Sequence, residues 1–304
     1  MNIFWFRRDL RLEDNVGLFH ALNDANEILP IFIFDDKILS ELPKDDPRVT
    51  FIHELLSKIQ NQLQENGKSL AVFHGQPKTI FEKLIKENKI ETVYTNHDYE
   101  PYARKRDKEI NQLFKDNNIV FKTSKDQVIF EKSEIVKKDG TPYVVYTPFS
   151  NKWKEAFAKI KVVPYNFEDK LNKITQHSYP FLSLKDFGFE VSAIKVTPFN
   201  ISEKVIFNYE ETRNFPALNG TSMLGTHLRF GSVSIPFHEI LDILLGGNSS
   251  KSSWDVIILH FRLPKAITAI LVGSGLAIAG LLMQTLFRNP LAGPFVLGIS
   301  SGAS

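Results

Sequence analysis

Short apolar runs alternate with helix-period segments along the first 125 residues, and that alternation leaves few folds open. Residues 3–6 (IFWF) and 28–34 (ILPIFIF) are unbroken apolar runs, which suit strands of a parallel sheet buried on both faces. Residues 69–73 (SLAVF), 91–95 (ETVYT) and 118–123 (NIVFKT) continue the series. Helices are predicted between them over 16–25, 47–67, 77–88 and 101–117. The 47–67 segment opens on Pro47, stops at Gly67 and repeats Ile52, Leu55, Leu56, Ile59 and Leu63 at helical spacing. Ile80, Phe81, Leu84 and Ile85 share one face of the next helix, and Pro101 suits the first turn of the last. Strand–helix repetition of this kind makes a doubly wound parallel sheet of the α/β class. No G-x-G-x-x-G loop is present, so a dinucleotide in the first turn is not supported.

The texture changes after residue 125. Pro142, Pro148, Pro164, Pro180 and Pro198 punctuate 126–200, which reads as a connector with short helices, one of them near 149–160. Further helices are predicted over 202–213 and 221–230. Beyond the polar stretch LLGGNSSKSSWD, residues 266–287 form a run of 22 residues without charge, long enough to span a bilayer as a helix. Ala269, Gly273 and Ala277 stand four apart on it, a small-residue face that lets helices approach closely in lipid. Arg262 and Lys265 flank one end and Arg288 the other, so charge does not set an orientation. A buried core helix is the alternative, but a helix in a soluble domain normally keeps one polar face.

Composition closes some doors. The 37 basic and 35 acidic residues nearly cancel, which identifies no nucleic-acid partner, although a local basic groove can hide in such an average. The chain has no cysteine, which excludes disulfides, thiolate metal sites and cysteine nucleophiles. No metal is called for. The 25 phenylalanines favour a thick aromatic core. The amino terminus is not a signal peptide, because Arg7, Arg8 and Asp9 follow only five apolar residues.

Just past the first strand, Arg7, Arg8 and Arg11 stand among Asp9, Glu13 and Asp14. Open parallel sheets bind ligands beyond the carboxyl ends of their strands. A solvated, salt-bridged loop is the plain alternative. The stretch FWFRRDLRLEDN resembles the opening signature of the DNA photolyase/cryptochrome family. NHDYEPYARKRD (96–107), TPYVVYTPFSNKW (141–153) and NYEETRNFPALNGTSMLGTHLRFGSVSI (208–235) resemble later stretches of that family in the same order. The resemblance covers about 1–235. It implies an α/β domain holding an antenna chromophore, a folate or a deazaflavin or flavin, and a helical domain holding FAD. It also implies the parent reaction, in which light-excited reduced FAD donates an electron to a pyrimidine dimer flipped out of damaged DNA.

The same resemblance places Tyr209 near the FAD and makes Thr221, Ser222, Met223 and Leu224 the T-S-x-L motif at its phosphates. Hydroxyls and free N–H groups at a helix start suit an anion, though the same residues also make an ordinary N-cap. Gly225 departs from the serine usual in many members. Glu100 matches a carboxylate that binds the folate in some members, with Asn96 and Tyr99 as neighbouring candidates; the plain alternative for Glu100 is a surface acid before a helix.

The photolyase pattern stops after RFGSVSI. The rest of the flavin pocket, the dimer-binding surface and a tryptophan relay have no counterpart: the tryptophans are Trp5, Trp153 and Trp254. No catalytic residue is therefore assigned, and the chain is expected to be catalytically incomplete. Residues 262–304, from RLPK to RNPLAGPFVLGISSGAS, resemble the iron-siderophore/haem/cobalamin class of ABC-transporter permeases. That implies a membrane-helix bundle working with a partner ATPase in membrane lipid. GSVSI (231–235) reads well in both families, so the chain is read as a chimera joined there. Its parts are an antenna domain (1–125), a connector (126–200), a truncated start of the all-α FAD-binding domain (201–235) and a permease-like fragment (236–304) with a candidate transmembrane helix at 266–287. The rival readings are a repair lyase completed in trans, an antenna-binding module, a transport component and a true photoreceptor–transporter. Residues 1–235 are expected in the cytoplasm, with membrane association through 266–287.

Overall fold

Strands form where the apolar runs lie. The computed structural model describes residues 1–160 and 165–232. Its sheet elements are β1 (Asn2–Phe6), β2 (Ile28–Phe34), β3 (Ala71–His74), β4 (Thr92–Asn96) and β5 (Val120–Ser124). Between them run α1 (Val16–Leu22), α2 (Asp36–Leu39), α3 (Pro47–Gln64), α4 (Pro77–Glu87) and α5 (Pro101–Asp116). All five strands are parallel, in the order β3-β2-β1-β4-β5.

Side chains alternate across a strand, so each apolar run feeds two cores. Phe4, Phe6, Phe32 and Phe34 pack with Leu18 and Leu22 of α1 and Leu55, Leu56, Ile59 and Leu63 of α3. Ile3, Trp5, Ile31 and Ile33 pack with Phe81 and Leu84 of α4 and Ile110 and Phe114 of α5. The second core carries an edge-to-face aromatic series, Trp5–Phe81–Phe114–Phe121, with centroids 4.9–5.3 Å apart. Proline stands in the first turn of α3, α4 and α5, where its missing N–H costs nothing. Asp46 caps α3 by accepting the Arg48 N–H at 2.8 Å.

Part of the connector belongs physically to the sheet. Ile174 bridges Ile28 in parallel, the Thr175 N–H donates to the Ile28 carbonyl at 2.8 Å, and the Val72 N–H donates to the Pro180 carbonyl at 3.2 Å. Phe167, Ile174, Leu184, Phe187 and Phe189 enter the core on the α1 and α3 side, and Phe187 stacks on Phe34. Residues 1–129, 165–200 and 222–232 thus form one compact unit of the described chain.

Residues 130–160 and 201–221 belong to a second unit. It holds α6 (Tyr146–Phe157), where Trp153 stacks on Phe157 and meets Phe130 edge-on. The helix expected over 202–213 is two short pieces, α7 (Glu203–Phe207) and α8 (Tyr209–Thr212), because Asn208 leaves helical geometry between them. In the first unit α9 spans only Leu224–Arg229, since Met223 takes a left-handed φ of 53° that stops the helix from extending back to Thr221. The transmembrane run at 266–287 and the permease-like fragment at 236–304 lie outside the described residues. Among the described residues no helix is long and apolar enough to cross a membrane.

Candidate functional site

The strand order reverses direction between β1 and β4, and ligands of doubly wound sheets lie beyond the strand ends at that point. Here the loops themselves fill it. The Arg7 side chain, 7% exposed, donates through Nη1 to both oxygens of Asp107 at 2.7–2.8 Å and through Nε to Thr95 Oγ1 at 2.9 Å. Its Nη2 donates to the Asn96 carbonyl. Asp9, 1% exposed, accepts the Arg7 N–H at 2.7 Å and the side-chain amides of Asn15 and Asn96. Arg11 donates to Asp126 at 2.8 Å and to the Asp14 carbonyl at 2.7 Å. The loop is salt-bridged, as its plain alternative held, but buried rather than solvated. Burial pushes the Asp9 carboxyl above the usual carboxylate range, and the neighbouring Asp126 pushes it further.

Asn96 sits inside this network. Its Oδ1 accepts the Gly17 N–H at 2.9 Å and its Nδ2 donates to Asn15 Oδ1 at 2.8 Å as well as to Asp9. A Cβ on Gly17 would stand 2.7 Å from Asn96 Oδ1, so only glycine allows α1 to approach the end of β4 this closely. Tyr99 is half-buried, its ring edge-on to His97 with centroids 6.3 Å apart.

Glu100 occupies the N-cap position of α5 without capping it. Its carboxylate instead accepts from Arg8 Nη1 at 2.7 Å, Arg8 Nη2 at 2.6 Å and Arg229 Nη2 at 2.6 Å. Those guanidiniums, Arg8 first, hold its carboxyl at about 2. The antenna candidates therefore face different surroundings: Asn96 is turned into the buried network, and Glu100 is held between two cations at the surface.

Arg229 is the partner that sequence reasoning missed. It reaches Glu100 because the segment after α9 is seated on the β1–α1 loop. The Leu10 N–H donates to the Phe230 carbonyl at 3.1 Å, and Phe230 meets Phe51 edge-on. Gly231 has φ 63°, and a Cβ there would stand 2.6 Å from the Arg8 carbonyl oxygen. The GTHLRFG stretch carried the signal, but nothing in it names Glu100.

The flavin candidates are placed as follows. Tyr209 lies on α8 beside Ile206, with the Arg213 guanidinium 6.0 Å from its ring centroid. Thr221 is exposed and precedes the turn. Ser222 and Leu224 are buried; Ser222 Oγ accepts the Leu224 N–H at 3.4 Å, and its carbonyl accepts the Asn200 N–H at 2.8 Å. Met223 is exposed in its left-handed turn. A Cβ on Gly225 would meet nothing within 4 Å, so a serine would fit there. Among the described residues no group of three His, Asp or Glu side chains is placed to hold a metal ion.

Comparison with known proteins fits this geometry. The DNA photolyase family model matches residues 2–167. The chain is 32% identical to a deoxyribodipyrimidine photo-lyase of Synechococcus sp. over 253 residues, which cover 77% of this chain and 51% of that enzyme. It is 30% identical to an uncharacterized 31.6 kDa protein of another Synechococcus strain, covering 77% of this chain and 86% of that protein. The structure is similar to a bacterial class III photolyase from Agrobacterium tumefaciens (TM-score 0.64, 25% identity, 88% of this chain and 58% of that one). It is also similar to an archaeal photolyase from Sulfolobus tokodaii that holds two FAD molecules (TM-score 0.59, 26% identity, 90% and 60%). The chain spans about half the length of the curated photolyases it matches. The model of the FecCD transport family matches residues 221–304, and so overlaps α9. With a matching family model over more than half its length and a parallel five-stranded sheet closed by its own loops, the chain belongs to the DNA photolyase family.

Proposed function

We propose that this chain is a photolyase-family sheet domain that binds a light-harvesting chromophore but does not complete repair, joined to a segment of FecCD-type permease. One observation carries the reading: similarity to photolyases takes in 77% of this chain yet only 51% of the enzyme, and a transporter family's model matches 221–304. The resemblance assigns FAD contacts to Ser222, Met223 and Leu224 in the first unit and to Tyr209 and Thr221 in the second. Ser222 suits a phosphate, because its hydroxyl accepts one N–H and keeps its own proton to donate. A bound flavin would supply the light-driven electron chemistry. The chain's own residues would only position it.

For an antenna chromophore, Glu100 keeps one acceptor position, since three of a carboxylate's roughly four are taken by Arg8 and Arg229. A donor edge, such as the amino group of a folate's pterin ring or the ring N–H of a flavin-type ring, suits that position. Tyr99 stands beside it, and Asn96 acts by holding the strand-end loop in place. In this reading damaged DNA is the parent enzymes' substrate and is not turned over here. A partner ATPase and membrane lipid concern only 236–304, and 1–235 stays cytoplasmic.

The test uses the purified full-length chain. A near-ultraviolet chromophore band without light-dependent loss of pyrimidine dimers is expected; light-dependent dimer removal overturns the reading. A single DNA read across the codons for 220–260 checks the junction, and halves that never share one molecule remove the fusion. A second reading, a free-standing antenna module, is favoured by the 31.6 kDa relative, which is matched over 86% of its own length. It predicts the same band in a chain ending near residue 235.

A further inference from the structure

The two edges of the sheet are finished differently. At β3 the connector closes the edge, with the Val72 N–H donating to the Pro180 carbonyl at 3.2 Å. At β5 no described segment does so, and β5 alone among the strands has no buried residue. Its main chain shows which groups are left over. The Val120 N–H donates to the Glu91 carbonyl at 2.9 Å, and the Ser124 carbonyl accepts the His97 N–H at 2.8 Å. Alternate residues of a strand bond to the same neighbour, so Val120, Lys122 and Ser124 face β4. Phe121 and Thr123 turn their N–H and carbonyl groups outward, and among the described residues nothing pairs with them. We propose that this edge docks an extended, acidic peptide segment of another protein, which adds to the sheet as a further strand.

Charge identifies the occupant. At about 100° per residue, Arg104, Lys108 and Lys115 form one stripe along α5. It is turned away from the flank where Tyr102, Arg106 and Ile110 line the hollow against α2 and α4. Phe114 of α5 meets Phe121 of β5 edge-on, with centroids 5.3 Å apart, so the stripe runs on the β5 side. All three cations are exposed, and among the described residues they enter no ion pair. The acids of α5 do not offset them: Asp107 is held by Arg7, Asp116 accepts from Gln112 at 2.8 Å, and Glu109 lines the α4 flank. On the other face of β5, Lys122 donates to the Tyr94 hydroxyl at 3.0 Å beside a cavity of about 480 Å³. Asp24 is the one acid lining that cavity, and Tyr94 and Lys122 already hold it. Lys170 and Lys173 reach its rim at Asn23 and Asp24. A carboxylate side chain of the added strand therefore meets cations on either face.

The same charge excludes two other occupants. An antiparallel pair of β5 strands from two copies would bring two basic stripes onto one face. Lysines on an edge keep like edges apart in this way, and leave the edge open to a strand of opposite charge. The rest of this chain has no acidic strand to offer: after residue 232 its acids are Glu239, Asp242 and Asp255, scattered among Lys251, Arg262, Lys265 and Arg288.

A blocked, fluorescein-labelled heptapeptide of alternating glutamate and valine, titrated with the full-length chain and followed by anisotropy, tests this. The peptide should bind at about one per chain and slow amide exchange at Phe121 and Thr123. Arg104→Gln with Lys108→Gln should weaken binding about tenfold or more and flatten its salt dependence. Lys83→Gln with Lys86→Gln, on the outer face of α4, should leave it unchanged, and both variants should melt like the parent. A peptide of the same charge with its amides N-methylated should not bind. Absence of binding by the unmethylated peptide overturns the proposal. So does equal binding by the methylated one, which would make the face a general anion surface. Protection of Phe121 and Thr123 that rises with chain concentration alone overturns it too, because the occupant is then a second copy.

Discussion

The central strands and the short helices of the second unit treat apolar residues in opposite ways. Every residue of β1 is buried, and its side chains divide between two cores that α1, α3, α4 and α5 complete. Among the described side chains of α7 and α8, Val205 and Ile206 are buried, and Ile206 packs with Ile201 and Tyr209. Phe207, Phe215 and Leu218 are each more than half exposed. The difference lies in where the partners come from. A parallel sheet draws most of its cover from the helices that connect its strands, so about 125 residues of sequence contain most of the core, and Phe167, Ile174, Leu184, Phe187 and Phe189 add the rest. Helices of four and five residues have little stability of their own and depend on packing against something else.

The largest break in that comparison should come from Arg7. Its guanidinium satisfies Asp107, Thr95 and the Asn96 carbonyl in a buried place. Arg7→Ala removes the donor to Thr95 Oγ1 and the Asn96 carbonyl and leaves Asp107 only the longer Arg106 contacts at 3.2 Å, and a buried pair broken on one side costs about 3–5 kcal/mol. Urea unfolding followed by tryptophan fluorescence should show a clearly lowered midpoint. A loss below about 1 kcal/mol would mean that the network behaves as a solvated surface loop.

Gly231→Ala should cost less, roughly 1–3 kcal/mol. The added Cβ meets the Arg8 carbonyl oxygen at 2.6 Å, and the backbone there has a positive φ. Its particular signature should be faster amide exchange at Leu10, whose N–H bonds to the Phe230 carbonyl. Unchanged exchange at Leu10 would mean that the 230–231 segment is not needed to seat α9.

Much of the sheet was legible because its signals are local. IFWF and ILPIFIF fall on β1 and β2, and Pro47, Pro77 and Pro101 mark the starts of α3, α4 and α5. What could not be read is long-range pairing. Nothing in the neighbourhood of Glu100 names Arg229, and nothing near Ile174 says that it will bridge Ile28. The prolines that suggested a loose connector were real, but Phe167, Phe187 and Phe189 among them bury in the sheet's core. At the flavin motif, one left-handed residue, Met223, shortened a helix whose composition looked continuous.

Two acids on the same loops should respond to pH in opposite directions. Asp9 has its pKa raised by burial, so the protonated form favours the fold. That contribution is complete below the usual carboxylate range and is lost as pH rises through the raised value. Asp9→Asn should therefore lose less stability than the parent as pH rises above the ordinary carboxylate range, read from urea midpoints. Parallel curves would mean that burial does not raise the Asp9 carboxyl. Glu100 has its pKa lowered to about 2, so its contribution is present above its ordinary value and fades as pH falls through about 2. It is partly exposed and paired with two arginines, so Glu100→Gln should cost no more than about 1 kcal/mol at neutral pH, and less in high salt.

The smallest effect belongs to the second unit and is the sharpest check on the opening contrast. Phe215 and Leu218 are joined by a turn in which the Leu218 N–H donates to the Phe215 carbonyl, and both side chains are more than half exposed. Replacing them with serine removes little buried surface, so each change should alter stability by no more than about 0.5 kcal/mol. The same substitution in β1, Phe4→Ser, removes a side chain with no exposure and should cost at least about 3 kcal/mol. If the serine changes at 215 and 218 lower the urea midpoint as Phe4→Ser does, those side chains are covered in solution, and the unit finds its packing partner within the chain. If the midpoint holds while aggregation at high concentration falls, the exposed rings and leucine act as a surface that associates, as uncovered apolar residues do.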